Sequence, residues 1–293
     1  MKKFNLNNLD QDVYYFTLAN GFKVYLVPFS NKKNFYAVLG TRYGSKDIDF
    51  SCNGDIHSPY GIAHFLEHKM FEQEDGIDPF KVFAKTGIST NASTTFDNTR
   101  YYIWGVNELE KNLSFLLDFV FSPYFTDDNV LKEKGIIKEE ILMYEDDTSW
   151  ALDDTLRKNM FYELPVKEKI AGTVESINKI TKEDLKLAYD TFYHPSNMFL
   201  VITGSFDKDK VLEVIKKKMD SKEYDKRDAV KRPEVFEKDS VVKKYEVIKI
   251  NTDIPKLAYN IKINVEDFDM GIGKYYLCYG IKNNKFLVIE KDQ

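Results

Sequence analysis

The sequence has few cysteines and no long apolar segment, and each absence argues against a class of protein. Its only two cysteines, Cys52 and Cys278, lie far apart and form no CxxC pair. This pattern argues against a disulfide framework and against a cysteine-rich metal site. No apolar run is long enough to span a bilayer, and residues 1–10 lack the apolar core of a signal peptide. We therefore expect no membrane association and a cytoplasmic location.

The chain also lacks an excess of positive charge. It has 42 Lys and Arg residues against 47 Asp and Glu residues, which gives a net charge of -5 and a pI near 5.6. Binding to a phosphate backbone requires a broad basic surface. We therefore expect no nucleic acid as the main ligand, and a peptide or protein partner fits the acidic balance better.

The remaining composition is typical of a packed globular protein. Apolar residues make up 43% of the 293 residues, and 22 Phe and 19 Tyr provide large side chains for a core. A chain of this length exceeds the usual size of one domain. A stretch crowded with Lys, Asp and Glu predicts a linker at 221–240. It separates a large first module, 1–220, from a shorter segment, 241–293.

Hydrophobic periodicity predicts helices and strands along both parts of the chain. Alternating apolar residues on either side of Asn20-Gly21 predict a hairpin over 12–28. Apolar residues at helical spacing predict a helix over 60–72, and the small residues of 87–95 indicate a strand at a sheet edge. Further helices are predicted at 79–85, 108–121, 127–146, 153–162, 181–194 and 207–219, and further strands at 35–42, 101–104, 199–203, 245–250, 257–263 and 285–289.

Half of the four histidines lie in one short motif, His64-Phe65-Leu66-Glu67-His68. Residues four apart share one face of a helix, so His64 and His68 can bind one metal ion together. Glu67 lies beside them without being needed as a ligand. It can therefore act as a general base that takes a proton from a metal-bound water. A carboxylate from another helix usually completes such a site and leaves one position open.

A structural interpretation of these histidines is also open. A histidine pair on an amphipathic helix can form a half-buried polar edge of the core, and short motifs also match by chance. His194, which precedes Pro195 at a predicted helix end, fits an interaction with the helix dipole. His57 lies in a polar loop. We expect neither His194 nor His57 to be a metal ligand.

The residues around the motif resemble a known family. The stretch Gly61–Phe71 is similar to the inverted zinc motif, H-x-x-E-H, of the pitrilysin/insulinase family of metallopeptidases, which includes the mitochondrial processing peptidases. Four more stretches resemble family segments in the same order: Asn91–Tyr101, Glu133–Glu140, Ala171–Thr173 and Tyr193–Asn197. The resemblance covers residues 10–215, and Phe121–Thr126 is most similar to processing-type members of Gram-positive bacteria.

The resemblance implies both a fold and an activity. The fold is α+β, with a mainly antiparallel sheet that carries helices on one face, followed by a partial second module. The activity is that of a zinc endopeptidase acting on peptides or unfolded protein segments. A Zn2+ ion would be bound by His64, His68 and Glu140, and Glu67 would be the general base.

The third metal ligand depends on a choice between two adjacent glutamates. Glu139 and Glu140 point about 100° apart on a helix, and the family pattern selects Glu140. Glu133 lies seven residues earlier on the same helical stripe as Glu140. It is expected behind the site, where it orients a histidine or holds charge near the metal. For Glu139 a solvated helix face is expected.

The small residues Asn91, Ala92 and Ser93 are expected to bind substrate through their backbone. An extended peptide can pair with an exposed sheet edge whatever its side chains, so sequence specificity would be loose. The alternative is that these small residues simply pack under a helix, because short strands are ambiguous in sequence.

The resemblance fails after the linker. Family members pair two modules of similar size, whereas residues 241–293 are too few for an independent core of this type. The Arg and Tyr that the second module of the family contributes to the substrate carbonyl have no assignable position here. This ending is compatible with a truncated or frame-shifted gene.

Two functions remain open on the sequence alone. The first is an active peptidase that works as a homodimer or as a hetero-oligomer with a full-length relative, because the first module would leave a cleft and an apolar face uncovered. The second is a non-catalytic peptide-binding or assembly subunit that retains the zinc module. The presence of Glu67 favours the first, since a non-catalytic subunit does not need a general base.

Overall fold

The structure of the protein is a computed structural model, which describes residues 2–6, 11–51, 54–220, 224, 227–249, 256–262 and 280–281. Both cysteines and the strand predicted at 285–289 lie outside the described residues. The strands of the first module are β1 (Lys2–Leu6), β2 (Gln11–Thr17), β3 (Lys23–Pro28), β4 (Phe35–Thr41), β5 (Asp49–Ser51), β6 (Asp55–His57), β7 (Ser89–Thr94), β8 (Thr99–Gly105) and β9 (Met198–Gly204).

Most helices are close to those predicted from periodicity, but the helix predicted at 153–162 begins at Thr148, and the helix at Val174–Lys179 was not predicted. The helices are α1 (Ile62–Met70), α2 (Pro79–Lys85), α3 (Leu109–Val120), α4 (Asp127–Asp146), α5 (Thr148–Met160), α6 (Val174–Lys179), α7 (Lys182–Phe192) and α8 (Lys208–Asp220). None of the helices in the described ranges is long and apolar enough to cross a membrane. The described residues also form two short 3-10 helices, Pro165–Lys167 and Pro195–Asn197, and a pair of two-residue strands, Ala258–Tyr259 and Gly280–Ile281.

Seven strands form one sheet in the order β1-β2-β3-β9-β4-β8-β7. Neighbouring strands are antiparallel except β3 and β9, which run parallel. The strands β5 and β6 form a separate hairpin. The mainly antiparallel α+β fold is therefore confirmed, and so are the hairpin of β2 with β3 and the edge position of β7.

One face of the sheet is covered by helices. Val24 and Leu26 of β3 and every second residue of β9 are buried, as expected for a sheet with one packed face. Residues from neighbouring strands lie opposite one another in this layer: Val24, Leu26, Ala37, Leu39, Tyr101, Ile103, Leu200 and Ile202. Burial of this apolar surface, at about 25 cal/mol per Å2, is the main stabilising contribution.

Helix α1 begins against the loop that contains Ala171. Gly61 precedes the helix with a φ of 91°, in the left-handed region that favours glycine. A Cβ atom on Gly61 would lie 2.4 Å from the Ala171 carbonyl oxygen. This close approach fixes the point where α1 begins, two residues before His64.

Helix α4 lies next to α1 and is well defined at its start. Thr126 caps it in a reciprocal arrangement with Asn129. Lys69 of α1 is fully buried, and its Nζ lies 3.4 Å from the Asn129 carbonyl oxygen. The apolar side of α4 is buried through Val130, Ile137 and Ile141. The stripe of Glu133 and Glu140 therefore faces α1.

The charged stretch after α8 packs onto the first module at Glu237. Its carboxylate is fully buried and accepts hydrogen bonds from the backbone N–H groups of residues 162–164 at 2.8–3.0 Å. The buried Lys262 ammonium lies 2.8 Å from the same carboxylate and donates to the carbonyl oxygens of Met160 and Ser240. The strand predicted at 245–250 is wrong for its described part, since residues 245–249 form no strand.

We expect the Glu237→Gln substitution to lower the free energy of unfolding by about 1–3 kcal/mol, because the buried Lys262 charge loses its counter-charge. Burial raises the pKa of Glu237, but hydrogen bonds from Lys262 and the backbone outweigh it and lower the pKa to about 2. A depressed folded-state pKa stabilises the protein above the unfolded pKa. This contribution is therefore lost as the pH falls from about 4.5 to about 2.

Calorimetric or denaturant unfolding at several pH values tests this prediction. Glu175→Gln is the matched control, because Glu175 forms an exposed, solvent-screened ion pair with Lys179 and should leave the free energy of unfolding nearly unchanged. Equal stability of the Glu237→Gln and Glu175→Gln proteins at neutral pH would contradict the prediction.

Candidate active site

The three motif residues lie together on α1. The rings of His64 and His68 are 4.6 Å apart between centroids, and both are partly buried. Glu67 is 8% exposed. The i, i+4 spacing therefore places both imidazoles on one side of the helix, as the sequence predicts.

Glu140 approaches the histidine pair from α4. Its Oε1 lies 3.6 Å from His64 Nε2, and its Oε2 lies 3.4 Å from His68 Nε2. One ligand atom from each of these residues lies within 4.8 Å of the other two. Tetrahedral zinc with bonds of 2.0–2.1 Å holds its ligand atoms about 3.3 Å apart. Two imidazole nitrogens, each 3.4–3.6 Å from an oxygen of the same carboxylate, fit the donor set of a catalytic zinc ion.

The surroundings shift the pKa values of the two histidines in opposite directions. Burial and the neighbouring His68 lower the pKa of His64 to about 4, so His64 is neutral at pH 7 and can offer a nitrogen lone pair. Burial lowers the pKa of His68, but its hydrogen bonds with Glu133 and Glu140 outweigh burial and raise the pKa to about 10. Burial raises the pKa of Glu140, whereas His68, Tyr144 and His64 together lower it to about 2. The carboxylates of Glu133 and Glu140 thus favour a positive charge at His68.

Two further side chains form hydrogen bonds to the candidate ligands His68 and Glu140. Glu133 Oε1 lies 3.0 Å from His68 Nδ1, which leaves His68 Nε2 directed toward Glu140. The Tyr144 hydroxyl donates to Glu140 Oε1 at 2.6 Å. Tyr144 was not predicted from the sequence, although its position four residues after Glu140 on the same helix is a signal for this contact.

We expect Glu133→Gln to weaken zinc binding by about 10- to 100-fold, because partners of metal-bound histidines orient the ring and increase its basicity. Competition with a chelator of known affinity measures the change. Glu139→Gln is the matched control, since Glu139 is the exposed neighbour of Glu140 on the same helix. Equal zinc affinities of the two variants would contradict a supporting role of Glu133.

Glu67 lies outside the group of three ligand atoms. Its Oε2 accepts a hydrogen bond from Thr94 Oγ1 at 2.5 Å. Burial raises the pKa of Glu67, and the hydrogen bond from Thr94 partly offsets this effect. A buried carboxylate with a raised pKa is a stronger base than an exposed one, as a proton-accepting role requires.

The edge strand β7 runs between two cavities at the site. A cavity of about 620 Å3 is bordered by the three ligand residues, by Glu67 and by residues 91–94. A second cavity of about 610 Å3 is bordered by Glu67, by His68 and by the edge residues Asn91 and Ala92. Ser93 borders the first cavity. The structure thus brings the predicted substrate residues to the same cleft as the candidate metal ligands.

The other two histidines lie outside the ligand group. His57 Nδ1 lies 2.6 Å from Asp49 Oδ1 on the hairpin of β5 and β6. His194 is buried, and its Nδ1 accepts a hydrogen bond from the Ser196 backbone N–H.

Comparison with known proteins identifies the family. Residues 55–174 match the model of the insulinase family, peptidase family M16, and residues 179–268 match a model described as the peptidase M16 inactive domain. The chain is 43% identical over 265 residues to the uncharacterized zinc protease YmfH of Bacillus subtilis. The chain belongs to the insulinase family of peptidases.

Solved structures agree with this family assignment. An M16-like peptidase from Alicyclobacillus acidocaldarius superposes with a TM-score of 0.84 at 43% identity over 86% of this chain. A protease from Helicobacter pylori superposes with a TM-score of 0.70 at 26% identity over 78% of this chain. This chain spans 62% of the length of YmfH, 60% of the Alicyclobacillus chain and 54% of the Helicobacter chain.

Proposed function

We propose that the protein is a zinc-dependent endopeptidase that hydrolyses peptides or unfolded protein segments. The observation that carries the proposal is one cleft in which His64, His68 and Glu140 converge beside a buried Glu67 and an exposed strand edge. Relatives with similar sequences are named zinc proteases. The first module thus carries a donor set, a base and a peptide-binding edge.

The residues of the cleft have distinct roles in this proposal. His64, His68 and Glu140 hold the zinc ion, which, when bound, polarises the scissile carbonyl and acidifies water. Glu67 takes a proton from the attacking water and passes it to the leaving nitrogen. The backbone of Asn91, Ala92 and Ser93 pairs with an extended peptide, which places its carbonyl group near the histidines.

The proposed active form is an assembly, either a homodimer or a hetero-oligomer with a full-length relative. Helix α4 exposes the apolar side chains of Leu131, Ile136 and Met143, at 69%, 48% and 60% of their surface. Exposed apolar side chains of this size favour association. Closure over the cleft would exclude water and clamp the substrate. The cytoplasmic location expected from the sequence stays a prediction.

A second candidate is a non-catalytic peptide-binding or assembly subunit. Residues 179–268 match a model described as an inactive domain, and the chain spans about three fifths of YmfH. In such a subunit the cleft would still bind zinc and extended peptides. The two functions therefore differ in turnover and not in binding.

Elemental analysis combined with peptide cleavage decides between them. Fluorogenic peptides without stable structure are incubated with the protein alone and with full-length relatives, before and after removal of zinc by a chelator. Cleavage that is lost with zinc and restored by adding it supports the endopeptidase. Full zinc occupancy and peptide binding without cleavage in every assembly would instead support the non-catalytic subunit.

A further inference from the structure

A single hydrogen bond connects Glu67 with the edge strand. Thr94, the last residue of β7, donates from Oγ1 to Glu67 Oε2 at 2.5 Å. Across the part of the chain that the structure describes, Thr94 is the one side chain that hydrogen-bonds to this carboxylate. The bond engages Oε2, and no donor among the described residues occupies Oε1, which is available to accept a proton.

Thr94 is itself held in the sheet beside Thr99. In the register of the antiparallel pair β7 and β8, Thr94 lies opposite Thr99. Its Oγ1 lies 3.5 Å from Thr99 Oγ1, and the buried Thr99 hydroxyl donates to the Tyr43 carbonyl oxygen at 3.0 Å. Threonine is also stiff at χ1 because it is branched at Cβ. The position of the hydroxyl is therefore set by the sheet before substrate arrives.

The carboxylate of Glu67 needs such a constraint. The terminal torsion of a glutamate has broad, roughly two-fold preferences, so rotation about it is weakly restricted by the side chain alone. General-base catalysis requires the accepting oxygen within hydrogen-bond reach of the proton. A hydroxyl anchored in the sheet can hold one oxygen and thereby orient the other.

We propose that Thr94 is a positioning residue, which orients Glu67 for proton transfer and ties it to the strand that binds substrate. The inference rests on the proposed peptidase function. It goes beyond the motif, because Thr94 lies 27 residues from Glu67 and outside the residues expected to bind substrate. Asn91 and Ala92 lie on the same strand, three and two residues earlier. The residues proposed to pair with the peptide and the residue proposed to orient the base therefore lie on the same strand, β7.

The test replaces Thr94 with Val, which keeps the branched shape and removes the hydroxyl. We expect kcat to fall by about 10- to 100-fold, because a misplaced base loses much of its catalytic contribution. KM and zinc content should stay within about twofold of the wild-type values, since neither zinc binding nor backbone pairing uses the hydroxyl. Thr94→Ser restores the hydroxyl and should recover most of kcat.

Thr90→Val is the matched control on the same strand. The Thr90 hydroxyl donates to the Tyr102 carbonyl oxygen at 3.1 Å in a partly buried hydrogen bond. Thr90→Val therefore also loses a hydrogen bond of the threonine hydroxyl, but not one to Glu67. Its kcat should stay within about twofold of wild type. Thr94→Ala provides a second variant if Thr94→Val does not fold. An unchanged kcat in the folded Thr94 variant, or a loss that follows zinc content or KM, would overturn the proposal.

Crystal structures separate this proposal from the proposed function. If the wild-type protein shows no turnover in any assembly, the zinc-loaded wild-type, Thr94→Ser and Thr94→Val proteins are compared directly. A Glu67 carboxylate that is ordered in the first two proteins and displaced or disordered in Thr94→Val supports positioning by Thr94. The same ordered carboxylate in all three would overturn it, whatever the activity.

Discussion

Glu67→Gln is expected to keep one zinc ion per chain and to lower peptide turnover by about 10²- to 10⁴-fold, the usual contribution of a general base. Zinc binding should persist because Glu67 lies outside the group formed by His64, His68 and Glu140. Glutamine can still accept the hydrogen bond from Thr94 through its amide oxygen. It cannot take a proton from water at neutral pH, so binding and chemistry separate.

Turnover and zinc content are measured on the same preparation, in whichever assembly is active. Glu139→Gln carries the same chemical change on the exposed side of α4 and should behave as wild type in both measurements. Near wild-type turnover of pure Glu67→Gln protein would exclude the role of Glu67 as general base. Loss of zinc in the same variant would instead indicate that Glu67 supports the metal site.

The local parts of the site could be predicted from the sequence because helix geometry fixes them. Two histidines four residues apart must share a face of α1, and the structure places their Nε2 atoms within 3.6 Å of one carboxylate. Periodicity alone could not choose between Glu139 and Glu140. That choice depends on how α4 rotates against α1, which the burial of Ile137 and Ile141 decides.

Contacts between distant segments could not be predicted in this way. The hydrogen bond from Thr94 to Glu67 depends on the packing of α1 against β7, and no spacing rule relates the two residues. Tyr144 differs, because its four-residue spacing from Glu140 is readable in the sequence. Supporting residues are thus predictable when they share a helix with their partner and hidden when they do not.

Composition gave no indication of the contacts made after α8. A stretch rich in Lys, Asp and Glu favours a solvated linker, yet the Glu237 carboxylate is fully buried. Burial of a carboxylate is possible here because four backbone N–H groups and Lys262 satisfy it. Amino-acid type alone does not show which charged residue finds such partners. The domain boundaries at 220 and 240 stay predictions.

His68→Ala is expected to abolish stoichiometric zinc binding. The substitution removes one of three ligand atoms. The two that remain, from His64 and Glu140, are fewer than the three protein ligands that a catalytic zinc ion needs. The substitution also removes the side chain that lies between Glu133 and Glu140. Without a positive charge between them, these two partly buried carboxylates repel each other, which opposes any rearranged site.

Elemental analysis after dialysis against a weak chelator measures the zinc content, and His57→Ala is the control. His57 is exposed and paired with Asp49, so its removal should leave one zinc ion per chain. The same assay on Glu139→Ala and Glu140→Ala decides between the adjacent glutamates, because only the loss of a ligand should release zinc. A full equivalent of zinc in His68→Ala would show that the metal, where present, is held elsewhere. Retention in Glu140→Ala with loss in Glu139→Ala would mean that α4 is rotated in the metal-bound protein.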